Sequence, residues 1–264
     1  MKRRHWAIGL ISLVLLLFLA VGGYFLGIHL PAQRAETAYV EGQRALEDNR
    51  LEAAVASWER AFSEQTGHPE AGLALFDAIA FFEPERAEEI LDQLERAGIP
   101  EARLLARRAE LALEADNLEA ARGFMEAAEG TGDPGFDIEY SRLKVLLADG
   151  KTGESLERLN ELIQIHPSSR AVNLLHGQIL YATGKMLNRA RAKTVLMDLL
   201  GRRDTVSFKA AGLLLMMPEL PLFDADLDRV VDHLSDHPFL EAGLRQLQTG
   251  DLRRMAVRIA DHDP

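Results

Sequence analysis

The sequence predicts an all-α chain of stacked helical hairpins preceded by one transmembrane helix, and three observations predict it. A small residue followed four positions later by a bulky one recurs at Ala54 and Trp58, Ala87 and Leu91, Ala121 and Met125, Ser155 and Leu159, and Ala192 and Leu196, at intervals of 33, 34, 34 and 37 residues. Prolines keep step at Pro69, Pro100, Pro134 and Pro167, with Pro238 further on. Ahead of the repeats, the 25 residues from Trp6 to Leu30 include no Lys, Arg, Asp or Glu.

The apolar run comes first in the chain. As a helix it reaches about 37 Å, enough to cross a hydrocarbon core with some tilt. Lys2, Arg3 and Arg4 precede it, which keeps residues 1–5 in the cytoplasm and places the repeats on the far side of an inner membrane, in a periplasmic or extracytoplasmic space. A cleaved signal peptide ending near Ala20-Val21-Gly22 is the competing expectation. Tyr24, Phe25, Leu26 and Ile28 continue the apolar run beyond that point, so a retained anchor over residues 6–30 is preferred. The inverted topology, with cytosolic repeats, is the other alternative.

From residue 35 to 201 the period calls for five hairpins. Two antiparallel helices of about 12 to 14 residues with two short turns fill one period, and the β-branched runs of a strand repeat are absent. Ala54 and Ala121 sit where the second helix approaches the first, while Trp58 and Met125 are expected to fill the gap between neighbouring hairpins. Asp48-Asn49, Asp116-Asn117, Asp149-Gly150 and Thr183-Gly184 suit the left-handed backbone that ends a helix. Prolines are harmless in a first turn and mark the next start. An irregular bundle of Ala-rich helices remains the alternative to a regular stack.

These residues resemble the tetratricopeptide repeat family. Gly42, Ala45, Ala54, Trp58 and Ala61 follow its pattern in the first unit, and Gly177, Leu180 and Gly184 follow the front half in the fifth. The third unit offers Leu105, Ala109, Ala112, Ala121, Met125 and Ala128; the fourth keeps Leu159 and Pro167, with Ser155 at the small position; the second, around Ala87 and Leu91, is degenerate. The resemblance implies a right-handed superhelical stack in which each unit contacts its neighbours alone.

Beyond the fifth unit, residues 202–238 read as a degenerate sixth hairpin. Phe208, Ala211, Gly212, Leu215 and Met216 form its first helix, Pro218 and Pro221 interrupt it, and Asp224 caps a second helix to about Ser235. The run Leu213 to Met217 is expected to be buried between helices. Residues 239–264, with Leu240, Leu244 and Leu247, then Leu252, Met255, Val257 and Ile259, read as a terminal cap.

Composition narrows the function. Beyond the anchor there are 27 basic and 41 acidic side chains, a formal charge of −14, which repels nucleic acid and anionic lipid headgroups. No cysteine is present, so disulfides, thiol catalysis, thiolate metal sites and lipoprotein attachment are excluded. Asp224, Asp226 and Asp228 have calcium-loop spacing, but Arg229 and Ser235 stand where Gly and Glu belong. His233 and His237 lack the HExxH context of zinc ligands and read as helix-end residues, and His176 as a partly buried, hydrogen-bonded histidine. No nucleophile elbow, phosphate loop or dinucleotide fingerprint occurs, and no stretch remains for a lysozyme-like domain. The sequence points to no cofactor, no metal and no catalytic residue.

The family resemblance places the partner-binding side chains on the first helices, facing a concave groove. Carried over by register, they are Tyr39 and Gln43, Phe76 and Ile79, Arg103 and Glu110, Tyr140 and Lys144, and Gln178 and Tyr181. The basic clamp for a chaperone's C-terminal carboxylate would need Lys and Asn where Tyr39 and Gln43 stand, which disfavours that partner class. The resulting expectation is a non-enzymatic, membrane-anchored scaffold that binds a protein or extended peptide in envelope assembly, secretion or complex biogenesis. A noncatalytic glycan-binding component of a polysaccharide or peptidoglycan machine is the alternative.

Overall fold

The computed structural model describes residues 23–24, 29–63, 68–132, 135–217 and 222–246. Their regular structure is all-α, with thirteen helices and no strand among the described residues. In order they are α1 (Leu30–Glu47), α2 (Leu51–Ser63), α3 (Pro69–Ile79), α4 (Pro84–Arg96), α5 (Glu101–Glu114), α6 (Leu118–Gly130), α7 (Phe136–Ala148), α8 (Thr152–Ile165), α9 (Arg170–Ala182), α10 (Met186–Asp198), α11 (Thr205–Met216), α12 (Asp224–Ser235) and α13 (Leu240–Gln246).

Local chemistry explains the breaks. Pro69 and Pro84 open α3 and α4, where no backbone N–H is needed. His68, Asn117 and Ser169 accept from the backbone N–H groups of Ala71, Ala120 and Val172, capping α3, α6 and α9. Asp204 and Ser207 close a reciprocal capping box at α11. Between helices the chain turns through positive φ at Asn49 (59°) and Asp116 (57°), short polar side chains that tolerate it. Helix α12 differs from expectation. It begins at Asp224 itself rather than after it, and the Phe223 backbone N–H donates to Asp226 Oδ2 at 3.3 Å.

All ten residues of the small-and-bulky marker are at most 3 % exposed. A Cβ added to Gly42 would lie 2.4 Å from the Trp58 Nε1, and one on Gly177 would lie 2.8 Å from the Leu196 side chain. The bulky member therefore rests on bare backbone of its own hairpin. Glycine in α1 gives the Trp58 indole a close seat within its own hairpin, and Trp58 also borders a cavity with Ala74, Asp77 and Ala78 of α3.

The expectation that each unit touches its neighbours alone is overturned. Helices α5, α7, α9 and α11 pack in succession, and α11 then meets α3. Phe82, in the turn after α3, lies edge-on to Phe208 and stacked on Phe239, each at 5.2 Å. Arg203 N–H donates to Asn49 Oδ1 at 3.1 Å across 154 residues. The cause lies in the degenerate second unit. Its Phe81-Phe82 turn is apolar, and burying these rings against α11 removes large apolar area from water.

The run Leu213 to Met217 belongs to that core, with Leu214, Leu215 and Met217 buried. No helix among the described residues is long and apolar enough to cross a membrane. The predicted span lies outside the described residues except for residues 23, 24, 29 and 30, as do the cleavage site, Pro134, Pro218, Pro221 and residues 247–264 of the terminal segment.

Candidate functional site

Two adjoining cavities of about 230 and about 160 Å3 lie between α3, α5, α7, α9 and α11. Helical spacing builds their walls. On α5, Arg103, Arg107, Glu110 and Glu114 succeed one another at intervals of three or four residues and so share one face. Asp137, Tyr140 and Lys144 do the same on α7, Leu174 and Gln178 on α9, and Thr205, Lys209 and Leu213 on α11.

The charged groups form one network. Arg107, only 7 % exposed, donates to Glu110 Oε1 at 2.9 Å, Asp137 Oδ1 at 3.0 Å and Asp77 Oδ2 at 3.3 Å. Glu110 also accepts from the Ser141 hydroxyl at 2.8 Å and from Lys144 Nζ at 2.9 Å. Lys209 Nζ reaches Glu114 at 2.5 Å and lies 4.7 Å from the Phe81 ring centre. Arg103 joins Asp137 at 2.8 Å to Glu70 at 3.2 Å along the rim.

Electrostatics separates two of the three carboxylates that Arg107 bonds. Burial alone would raise Glu110, but Lys144, Arg107 and their hydrogen bonds outweigh it and hold the carboxyl at about 2. Asp77 goes the other way. Enclosure by protein pushes its carboxyl up to about 6, Glu110 and Asp137 add to the rise, and Arg107 and Lys144 offset only part. Its side chain nonetheless keeps 55 % of its surface open, because it faces the cavity. Burial also pushes the Tyr140 hydroxyl up to about 12.

Of the residues expected in the groove, Phe76, Glu110, Tyr140 and Lys144 line the larger cavity, and Tyr140, Lys144 and Gln178 line the smaller. The Gln178 amide makes no hydrogen bond to a described residue. Gln43 lines a third cavity of about 240 Å3, which shares Asp77, Thr205 and Val206 with the first. Its amide donates to the Tyr39 hydroxyl at 3.0 Å, and the Tyr39 ring stacks on His68 at 4.6 Å.

Ile79 and Tyr181 must be corrected. Ile79 is 0 % exposed, buried in the core that the first helices share. Tyr181 packs against the core around α11, with the Arg189 guanidinium 5.5 Å above its ring. Asp77, Arg107, Asp137 and Glu114 were not singled out from sequence, although the three-and-four spacing from Arg103 contained the signal for two of them. Lys209 carried none, since its place depends on α11 returning to α3.

The three histidines singled out from sequence are each at least partly buried. His233 Nε2 is 3.0 Å from Ser207 Oγ. His237 is wedged among Phe82, Phe208 and Phe239, and burial pushes it down to about 4. His176 is partly buried and makes no hydrogen bond to a described residue, against expectation, and burial lowers it too. Among the described residues, no group of three or more His, Asp or Glu is arranged to hold a metal ion.

The described chain is thus an all-α protein whose helices enclose a charged, solvent-reached interior. A scan of protein-family models finds no match for it, and a search of curated proteins finds no similar sequence.

Proposed function

We propose that this protein is a membrane-tethered scaffold of the tetratricopeptide type, a right-handed superhelical stack of hairpins that holds a segment of another protein in its interior. The observation that carries the proposal is the convergence of Phe76, Glu110, Tyr140, Lys144 and Gln178, from four successive odd-numbered helices, on the adjoining cavities. Together those cavities fall near the lower end of the roughly 300–1,000 Å3 of ordinary ligand pockets. Rigid aromatic walls give contact area at low entropic cost.

The apolar run from Trp6 to Leu30 serves as the tether in an inner membrane, with the helical body on the extracytoplasmic side. Holding rather than transforming is the activity this reading assigns, with Glu110 paired to two cations that fix the cavity wall.

A photo-crosslinking residue in place of Tyr140, activated in intact membranes, tests this. Capture of a defined polypeptide, reduced when Gln178 is replaced by Trp, is the expected result. Recovery of glycan without polypeptide would favour the polysaccharide alternative and overturn the proposal.

A further inference from the structure

The chain already seats one amine in its own interior. Lys209 enters from α11, bonds Glu114 at 2.5 Å and lies against the face of Phe81, so the cavity wall is chemically suited to an alkylammonium group. Beside it a second acidic position is incompletely matched. Among the described residues Asp77 has one ion pair, with Arg107, which it shares with Glu110 and Asp137, and 55 % of its side chain stays exposed at the border of the first and third cavities. Phe76 and Phe136 line the same space.

The adjoining lobe has a different character. Leu174, Leu213, Met216 and Phe208 supply an apolar wall, with the Gln178 amide at its edge. An occupant matching both lobes carries a cation and an apolar group close together. The body beyond the apolar run has a formal charge of −14, which draws such an occupant in and repels acidic ones.

We infer that the interior cavity receives a partner segment bearing a lysine or arginine next to a large apolar residue, the cation resting on Asp77 and the apolar side chain in the lobe of Leu174, Leu213 and Met216. This rests on the proposed peptide-holding role and specifies its partner. The cation restores to Asp77 the counter-charge that Arg107 divides among three carboxylates. The Gln178 amide offers both a donor and an acceptor to the backbone of the incoming segment.

Calorimetric titration of the full-length protein tests it with two capped pentapeptides, Gly-Lys-Leu-Leu-Gly and Gly-Gln-Leu-Leu-Gly, at pH 7.5. The lysine peptide is expected to bind about tenfold more tightly, the scale of one charge-assisted hydrogen bond. Asp77→Asn should erase that preference and Asp77→Glu retain it, with thermal unfolding showing that both variants fold. Lowering the pH to 5 should weaken the lysine peptide in the wild type and leave Asp77→Asn unchanged. The groups facing Asp77 are Arg107 and Glu110 on α5, Asp137 and Lys144 on α7 and, across the third cavity, Asp204; swapping Asp77 alone separates its titration from theirs. Equal binding of the two peptides would overturn the cation assignment while leaving a peptide-holding interior. Binding of neither would overturn both.

Discussion

The Thr205 hydroxyl donates to the backbone carbonyl of Ala78 at 2.6 Å, across 127 residues of chain. Both groups are buried, so neither has water as a substitute partner. Thr205 opens α11 and Ala78 lies in the last turn of α3, and this bond marks where the sequence of packed helices returns to its beginning. Thr205→Val keeps the shape and strands the carbonyl, which costs about 1–3 kcal/mol. Urea unfolding should show that loss, with faster amide exchange in both α3 and α11.

Phe208 anchors the same junction from the apolar side, in contact with Phe81, Phe82 and His237. Phe208→Ala should destabilise by about 3–5 kcal/mol. It should also release α11–α13 for exchange before α5–α10, because the latter keep their own contacts.

Gly42 and Trp58 give a sharper test of packing. With only 2.4 Å between a new Cβ and the indole nitrogen, Gly42→Ala must displace Trp58 despite alanine's better helix propensity. A loss of about 1–3 kcal/mol is expected, whereas Gly123→Ala, where nothing lies within 4 Å, should stabilise by up to about 1 kcal/mol. Paired thermal melts check the difference in sign.

The ion network fixes opposite pH trends. Glu110 is held at about 2 against an ordinary 4.5, so the folded form binds its proton less readily than the unfolded form. Its stabilisation is full above 4.5 and disappears as pH falls toward 2. Asp77 is raised from 3.8 to about 6, so its contribution is most favourable below 3.8 and is lost as pH rises through about 6. Asp77→Asn should therefore flatten the stability profile across that interval; since the side chain is half open, the effect is at most about 1 kcal/mol. Lys144→Met leaves Glu110 with Arg107 and the Ser141 hydroxyl and should cost about 3–5 kcal/mol.

Much of the architecture could be read from spacing. Ala54, Ala87, Ala121, Ser155 and Ala192 announced buried helical contacts because a small residue and its partner one turn on must face the same way, and each is 0 % exposed. Asn49, Asp116, Gly150 and Gly184 announced turns, and all four have positive φ. In the candidate site, Phe76, Glu110, Tyr140, Lys144 and Gln178 were named from register and do line the interior. Ile79, named by the same rule, lies in the core, and Tyr181 packs half-buried against the core around α11.

What the sequence determined by itself is local: helix, break, cap and the buried face of each hairpin, all governed by residues within about two turns of one another. The tertiary structure alone decided that α11 returns to α3, that Lys209 enters the cavity from the far end of the described chain, and that Asp77 shares Arg107 with two other carboxylates. Those relationships join residues from 30 to 127 positions apart. They depend on how each helix packs on the next over the whole of that distance, and no short-range pattern of side chains encodes such a sum.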